Sequence, residues 1–349
     1  MTLSAALPTR FTVRFGLTHP VALAPMAGAA GGALAGAVAR AGGLGLLGGG
    51  YGDADWIAAE WDRAGGAPIG IGFITWRLTP ALLNAALVRG PVAVMLSFGD
   101  PAPFAPAIHA AGVPLICQCQ TVDHARAALD AGAQVIVAQG AEAGGHGDRR
   151  GTMTLVPELA DLLAAGTPNT LLLAAGGIAD GRGLAASLML GADGVLVGTR
   201  LWAAAEALVP PGFHAAAVAA TGDVTVRSSA PDAARLLDWP APFTIRTLRS
   251  AFTDRWGGHT AALRAPEGEA ARADWAAAQA AGDASAGTPV AGEAVGLIHD
   301  IPPAAAILSR LSEQACALLS SLCSKYPGGV PAGDGGSAPS PPPPVKPEI

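Results

Sequence analysis

Short apolar segments alternate with Ala-rich helical segments from near the start of the chain to about residue 200. Each apolar segment is rich in Val, Ile or Leu and ends in Gly or a polar residue. The segments begin at Val21, Leu44, Ile69, Val92, Pro114, Val135, Leu171 and Gly194. Their apolar character is continuous, which is typical of parallel strands buried on both faces. The pattern therefore predicts eight strands, each followed by a helix.

Helix start and stop signals lie between these segments. N-cap residues precede the helical segments, and glycines stand where helices are expected to end. The predicted N-caps are Asp53, Thr79, Thr121 and Asp180, and the predicted terminating glycines are Gly132 and Gly191. Eight strand–helix units predict an α/β fold, and the simplest arrangement is a (β/α)8 TIM barrel, which takes about 250 residues. A doubly wound open sheet is the structural alternative.

Changes of composition divide the chain into three regions. The barrel is expected over residues 1–205. The pattern then becomes helical and irregular, and the segment "RSSAPDAARLLDWPAPFTIRTLRSAF" indicates a C-terminal helical cap over residues 206–310 that packs on the barrel. Residues 327–349 are rich in Pro, Gly and Ser, which predicts a disordered tail.

Composition and charge limit the classes of partner. Hydrophobic residues make up 51% of the chain, which is ample for a core, and the formal net charge is −6. An acidic chain without a basic patch is not expected to bind nucleic acid. Gly, Pro or a charge interrupts every apolar stretch before about 18 residues accumulate, so membrane spans are not expected. The first residues lack the pattern of a secretory signal, which favours a cytoplasmic location.

The cysteines offer no metal site or disulfide framework. Cys117 and Cys119 alternate across a predicted strand, and no second Cys or His pair stands at metal-ligand spacing. We interpret both as small core residues.

Glycine turns follow the seventh and eighth predicted strands. Barrel enzymes place their sites at the C-terminal ends of the strands, so these turns face the expected site. Consecutive glycines let backbone N–H groups approach an anion, and a short helix after the eighth strand adds the partial positive charge of its N-terminus. The predicted phosphate-binding residues are Gly176, Gly177, Gly198 and Thr199. Ordinary turns that need glycine are the structural alternative.

Two further sets of residues suit a planar polar ligand. After the first strand, Pro25 and Met26 are expected to lay backbone against a flat ligand, with Ala27 keeping the surface free of large side chains. Gln118, Gln120 and Gln139 stand at the ends of the fifth and sixth strands. Buried amides need hydrogen-bond partners, and a ligand or a structural network among the amides would supply them.

A histidine loop follows the sixth strand in the segment "GAEAGGHG". His146 is the candidate catalytic residue, because imidazole transfers protons near neutral pH and this one follows a strand end on the active-site side. Gly145 beside it is a candidate for cofactor contact. Glu142 either orients the imidazole or caps the next helix.

These residues carry a resemblance to the nitronate monooxygenase family. The chain is similar to it in "APMAG" at Ala24, "GIGFITW" at Gly70, "QGAEAGGHG" at Gln139, "AAGGIADGRG" at Ala174 and "GADGVLVGTR" at Gly191. The likeness covers about residues 20 to 205 and continues more weakly to about residue 265. It implies a barrel that binds FMN, with the phosphate on the glycine turns, the segment from Pro25 to Ala27 against the flavin, and Gln118 and Gln139 as polar contacts.

The resemblance also implies a reaction. Members of the family oxidise alkyl nitronates with O₂ to a carbonyl compound and nitrite, and some also accept the neutral nitroalkane. His146 matches the active-site histidine, as general base toward a neutral nitroalkane and as a source of a hydrogen bond or charge toward a nitronate. Phe73-Ile74-Thr75 stands where many relatives carry an Asn, and Gln118 stands where some carry Lys, so the substrate stays open.

Other functions on the same scaffold stay open. The chain also resembles FMN-dependent enoyl-acyl-carrier-protein reductases, which have a Gly-Gly-His loop, and NAD(P)H:quinone reductases. Purine nucleotide dehydrogenases need a nucleophilic cysteine after the sixth strand, and none lies between Cys119 and Cys316. A non-catalytic flavin- or sugar-phosphate-binding barrel is the third class. The expected partners are a small-molecule nitronate or nitroalkane and O₂, and a homodimer is one option for the assembly.

Overall fold

The computed structural model describes residues 7–325. Its strands are β1 (Val21–Leu23), β2 (Leu46–Gly50), β3 (Gly70–Ile74), β4 (Val94–Ser97), β5 (Leu115–Cys119), β6 (Val135–Gln139), β7 (Gly145–Gly147), β8 (Leu171–Ala175), β9 (Gly194–Val197), β10 (Thr225–Ser228) and β11 (Thr244–Leu248). All eight strands expected from the apolar segments are present, within two residues of their predicted starts.

The eight predicted strands form one parallel sheet that curls into a barrel. Its order is β1-β9-β8-β6-β5-β4-β3-β2, and a parallel bridge between Ala22 and Leu44 joins its two edges. The barrel confirms the predicted TIM-barrel class against the open sheet.

Burial on both faces explains why the strands are continuously apolar. In β5, Ile116 faces the barrel interior, whereas Leu115 and Cys117 belong to the core between the strands and the surrounding helices. In β6, Val135 and Val137 face the interior in the same alternation. Strands β5 and β6 therefore each contribute to two cores, and Gln118 is the one residue on them that is only half-buried.

Helices follow the barrel strands and continue beyond them. Their bounds are α1 (Arg10–Phe15), α2 (Gly32–Arg40), α3 (Ala54–Arg63), α4 (Pro80–Val88), α5 (Ala105–Ala110), α6 (Val122–Asp130), α7 (Thr152–Gly166), α8 (Gly181–Met189), α9 (Thr199–Trp202), α10 (Pro211–Ala219), α11 (Ala230–Ala234), α12 (Ala251–Trp256), α13 (Thr260–Arg264), α14 (Glu269–Ala281) and α15 (Ala304–Lys325).

The predicted start and stop signals act as expected. The side chains that accept a hydrogen bond from a first-turn backbone N–H are those of Asp53, Thr79, Thr121 and Asp180. Gly132 and Gly191 directly follow the C-caps of α6 and α8 with φ of 79° and 94°. Only glycine adopts this left-handed conformation without strain, so each helix ends there.

The region after the barrel contains helices α10 to α14, as predicted, and also two strands that the sequence did not indicate. Strand β11 pairs antiparallel with both β10 and β7, so a three-stranded sheet joins the cap to the loop of His146. Helix α15 then returns to the outer layer of the barrel, against α8 and α2. The boundaries proposed at residues 205 and 310 stay predictions, and the proposed tail, 327–349, lies outside the described residues.

Membrane and metal features can be stated for residues 7–325. No helix in this range is long and apolar enough to cross a bilayer. No cluster of three or more His, Cys, Asp or Glu side chains in the same range is arranged to hold a metal ion. Cys117 and Cys119 are buried core residues, and burial raises the pKa of the Cys117 thiol to about 12.

Candidate active site

One cavity of about 380 Å³ opens at the C-terminal ends of the barrel strands. All the residues proposed from the sequence as catalytic or cofactor-binding line it: Pro25, Met26, Ala27, Gln118, Gln139, Gly145, His146, Gly176, Gly177, Gly198 and Thr199. The fold therefore brings together positions that are spread over most of the barrel sequence.

The glycine turns form one part of the cavity wall. Gly176 and Gly177 have φ of 103° and 75°, which a residue with a side chain rarely adopts. A Cβ on Gly176 would lie 3.0 Å from the carbonyl oxygen of Gly140. Conformation therefore favours glycine at both positions, and at Gly176 the space for a side chain is short as well.

Hydrogen-bond donors remain free at these turns. Within residues 7–325, no protein group accepts from the backbone N–H of Gly177 or of Thr199. The Thr199 hydroxyl accepts a hydrogen bond from the Gly292 N–H at 2.9 Å, so it keeps its own proton to donate. These turns, defined by Gly176, Gly177, Gly198 and Thr199, offer donors to an anion.

The segment after β1 lies close against its neighbouring strands. A Cβ on Gly48 would come within 2.3 Å of the Met26 carbonyl oxygen, and one on Gly72 would overlap the ring of Pro25 at 2.2 Å. Because β2 and β3 have glycine at these points, the backbone from Pro25 to Ala27 can pack down onto the barrel mouth. A low, flat surface results.

The three glutamines, Gln118, Gln120 and Gln139, form a hydrogen-bonded network among themselves, which is one of the two roles proposed for them from the sequence. Gln118 and Gln120 both donate through Nε2 to Oε1 of Gln139, at 3.1 and 2.8 Å. Gln139 in turn donates to the backbone carbonyl of His146 at 3.0 Å. Gln118 and Gln139 also line the cavity, so the network fixes the histidine loop and presents amide groups to a ligand.

His146 is held by a buried carboxylate. Its Nε2 lies 3.0 Å from both carboxylate oxygens of Asp232, and the two side chains are only 8% and 2% exposed. A carboxylate only accepts, so Nε2 carries the proton and Nδ1 keeps its lone pair. Burial lowers the pKa of His146, and the hydrogen bond that its Nε2 donates to Asp232 opposes this effect. The imidazole is therefore neutral and able to take a proton.

Aromatic rings pack around the imidazole. Trp239 stacks on it with ring centroids 3.3 Å apart and an angle of 9°. Phe98 meets the imidazole edge-on at 6.1 Å, and its own φ of 63° is strained for a residue with a side chain. The Trp239 Nε1 donates to the Tyr51 hydroxyl at 3.0 Å. These contacts leave the ring little freedom to rotate.

Comparisons with known proteins agree with this geometry. Residues 81–314 match the family model described as nitronate monooxygenase. Nitronate monooxygenase npaC of Metarhizium robertsii is 36% identical, over 86% of this chain and 91% of that protein. The chain belongs to the nitronate monooxygenase family. It is an oxidoreductase, and the family implies a flavin.

Two solved structures share the fold of this nitronate monooxygenase family member. FabK from Thermotoga maritima has a TM-score of 0.79 at 28% identity, over 92% of this chain and all (100%) of that one. Nitroalkane oxidase from Streptomyces ansochromogenes has a TM-score of 0.76 at 25% identity, over 90% and 100%. Both support the barrel assignment.

The residues present suit the flavin that the nitronate monooxygenase family implies. The backbone N–H groups of Gly177 and Thr199 have no acceptor within residues 7–325. Together with the Thr199 hydroxyl, they are donors of the kind that bind a phosphate. The low surface from Pro25 to Ala27 suits one face of a planar ring. Polar amides and an imidazole line the same cavity.

The cap contributes residues that sequence reasoning missed. Asp232 lies 86 positions from His146, and Arg235 donates to the same carboxylate at 2.7 Å. In the sequence, Asp232 follows Pro231 and looks like an ordinary acidic residue in the first turn of a helix. Nothing in its local pattern indicates a distant imidazole.

Glu142 takes the second of its two predicted roles. Its carboxylate accepts from the backbone N–H of Thr152 at 3.0 Å and from the Thr152 hydroxyl at 2.9 Å, so it caps α7 and does not orient the imidazole. The histidine loop is held instead by Arg227, which donates to the carbonyls of Ala141 and Ala143 at 3.1 Å.

Proposed function

We propose that the protein oxidises alkyl nitronates with O₂, using FMN, and releases a carbonyl compound and nitrite. The observation that carries the proposal is that one cavity contains the glycine turns, the flat segment after β1 and a neutral, oriented imidazole. Membership of the nitronate monooxygenase family supports the same reaction.

The cofactor in this proposal is FMN, held by backbone groups. Its phosphate binds the turns of Gly176, Gly177, Gly198 and Thr199. The stretch from Pro25 to Ala27 lies against the ring system, and Gln118, Gln139 and Gly145 contact its polar edge. Bound FMN supplies the electron transfer between nitronate and O₂ that no amino-acid side chain provides.

The role of His146 depends on whether the substrate is a neutral nitroalkane or a nitronate. A neutral nitroalkane has an acidic α-carbon, and Nδ1 of His146 accepts that proton, because Nε2 already donates to Asp232. A preformed nitronate has already lost this proton, so toward it the imidazole contributes only a hydrogen bond or charge. Asp232 is a positioning residue that fixes the tautomer and the ring plane.

Oxygen consumption tests the proposed function. The FMN-loaded protein is mixed with an unbranched propyl nitronate, with no nicotinamide present, and O₂ and nitrite are followed together. The proposal predicts O₂ uptake accompanied by nitrite. No uptake with nitronates of any chain length contradicts it.

An NAD(P)H-dependent reductase is the second candidate. It is favoured by the resemblance of the Gly-Gly-His loop to that of enoyl-acyl-carrier-protein reductases and by the likeness to FabK over the whole of that chain. This candidate predicts NAD(P)H oxidation with an enoyl thioester or a quinone. The nitronate reaction without nicotinamide separates the two candidates in one cuvette.

Location and assembly remain proposals. We propose the cytoplasmic location that the sequence favours, and a homodimer as one option for the assembly. Cell fractionation and sedimentation velocity measure them.

A further inference from the structure

The Tyr51 hydroxyl lies at the cavity with a proton that it can donate. Tyr51 lines the cavity, and its oxygen accepts from Nε1 of Trp239 at 3.0 Å. Within residues 7–325, no described hydrogen bond has the Tyr51 hydroxyl as donor. Burial raises the pKa of Tyr51, although the charge of Arg235 and the Trp239 N–H act in the opposite direction, so the phenol stays protonated near neutral pH.

Arg235 presents a second set of donors beside this hydroxyl. Its Cζ lies 5.7 Å from the centre of the Tyr51 ring, and the residue lines the same cavity. Its Nη2 donates to Asp232 at 2.7 Å and its Nε donates to the Pro231 carbonyl at 3.2 Å. Arg235 also shares a side-chain hydrogen bond with Tyr51, so the two groups lie side by side. A guanidinium has five N–H groups, and these contacts in the part of the chain that the structure describes leave some of them for a ligand.

Tyr51 and Arg235 together offer hydrogen-bond donors that suit a small anion. The Asp232 carboxylate already accepts hydrogen bonds from two donors, Nε2 of His146 and the guanidinium of Arg235. An anion that enters the cavity therefore meets an arginine that is held in place but not saturated, next to a phenol that has a proton to give.

We propose that Tyr51 and Arg235 bind the two oxygens of the substrate's nitro or nitronate group. A nitronate has two oxygens on one nitrogen, and a hydroxyl beside a guanidinium offers a donor to each of them. The inference rests on the proposed function, and it adds a recognition site for the group that leaves as nitrite. The charged nitronate gains more from Arg235 than the neutral nitroalkane does.

Nitrate binding tests this site without turnover. Nitrate is a planar nitrogen oxyanion that the enzyme has no means to oxidise, so its dissociation constant, measured by calorimetry on the FMN-loaded protein, reports the oxygen site alone. Tyr51→Phe removes only the hydroxyl and keeps the ring packing. We expect nitrate to bind about 10-fold more weakly to Tyr51→Phe and at least as much more weakly to Arg235→Met.

Arg77→Met is the matched control. The Arg77 guanidinium lies 5.7 Å from the ring of Trp76, which meets the Tyr51 ring edge-on at 6.4 Å. Arg77 is exposed and is not among the residues that line the cavity. Its loss should leave nitrate binding unchanged. Circular dichroism and FMN content check that each variant folds, and Tyr51→Phe decides the question if Arg235→Met does not fold.

Turnover separates this proposal from the proposed function. With the nitronate as substrate, Tyr51→Phe should raise KM about 10-fold and change kcat less. Absence of nitrate binding to the wild type, or equal binding to the wild type and Tyr51→Phe, overturns the oxygen site. A wild type that binds nitrate through these residues but oxidises no nitronate contradicts the proposed function and leaves the anion site standing.

Discussion

The glycine turns and the histidine cluster are two parts of one cavity, and they present different kinds of chemical group to it. The turns, Gly176, Gly177, Gly198 and Thr199, offer mainly backbone groups that follow β8 and β9. The histidine cluster, His146, Asp232, Arg235, Trp239 and Tyr51, is made of side chains from three separate segments.

The difference predicts different sensitivities. Backbone donors carry no charge that titrates, and the turn of Gly176 and Gly177 depends on φ angles that glycine alone adopts easily. The histidine cluster depends on charges and tautomers in a buried environment, so single atoms decide its chemistry. Changes in the first part should affect cofactor binding, and changes in the second should affect the reaction.

The largest effect is expected at His146. His146→Ala should lower kcat/KM for a neutral nitroalkane by about 10²–10⁴-fold, the usual contribution of a general base. Turnover of the preformed nitronate should fall far less, because its proton has already been removed. Steady-state oxygen uptake with both substrates measures this, and equal losses would remove the general-base role.

A smaller effect is expected at Asp232. Asp232→Asn removes the charge that raises the pKa of His146, so the imidazole becomes a weaker base. We expect kcat/KM for the neutral nitroalkane to fall by about 10-fold or more, with the acid limb of its pH profile moved to lower pH. An unchanged pH profile argues against the positioning role.

Asp238→Asn is the control for that change. Asp238 lies on the same segment, is 94% exposed and pairs with Arg264 at 2.9 Å. It should leave both the rate and the pH profile as they are in the wild type.

The glycine turns should respond in cofactor binding. Gly177→Ala places a side chain at φ of 75°, and Gly112→Ala does the same at 69° before β5, where a Cβ meets nothing within 4 Å. Each change should cost about 1 kcal/mol of stability through backbone strain. Only Gly177→Ala should also weaken FMN binding, by about 10-fold, as measured by flavin fluorescence on reconstitution. Equal FMN affinities in the two variants would argue against a contact between Gly177 and the FMN phosphate.

The smallest expected effect is on how the folding stability depends on pH. Burial lowers the pKa of His146 in the folded state. The contribution of the neutral imidazole to the free energy of unfolding is therefore fully present above the unfolded-state pKa of about 6.5. It is lost as pH falls through the lowered folded value, since the unfolded chain then binds the proton more readily. Urea midpoints at pH 7.5 and 5.0 should therefore fall less in His146→Gln than in the wild type. Gly177→Ala, with no titratable group changed, should follow the wild-type slope.

The two parts of the cavity also differ in how far the sequence predicts them. The turns at Gly176 and Gly198 can be predicted because turn chemistry is local and the barrel fixes where strand ends meet. The strands and the N-caps at Asp53 and Thr121 follow from the same local rules. The place of His146 after β6 makes it the candidate base for the same reason.

Asp232 and Trp239 could not be predicted in this way. They reach the imidazole only because β11 pairs with β7, a contact between segments about 100 positions apart. Side-chain pairs at such separations depend on the packing of the cap, which leaves no periodic pattern in the chain. Tyr51 was missed because it follows glycines in what looks like an ordinary turn after β2.

Oxygen uptake by the FMN-loaded protein with a propyl nitronate, in the absence of NAD(P)H, tests the central claim most directly. The account predicts that O₂ consumption and nitrite release rise together with nitronate concentration. No O₂ consumption with the nitronate, together with NAD(P)H oxidation in the presence of a quinone or an enoyl thioester, would contradict it.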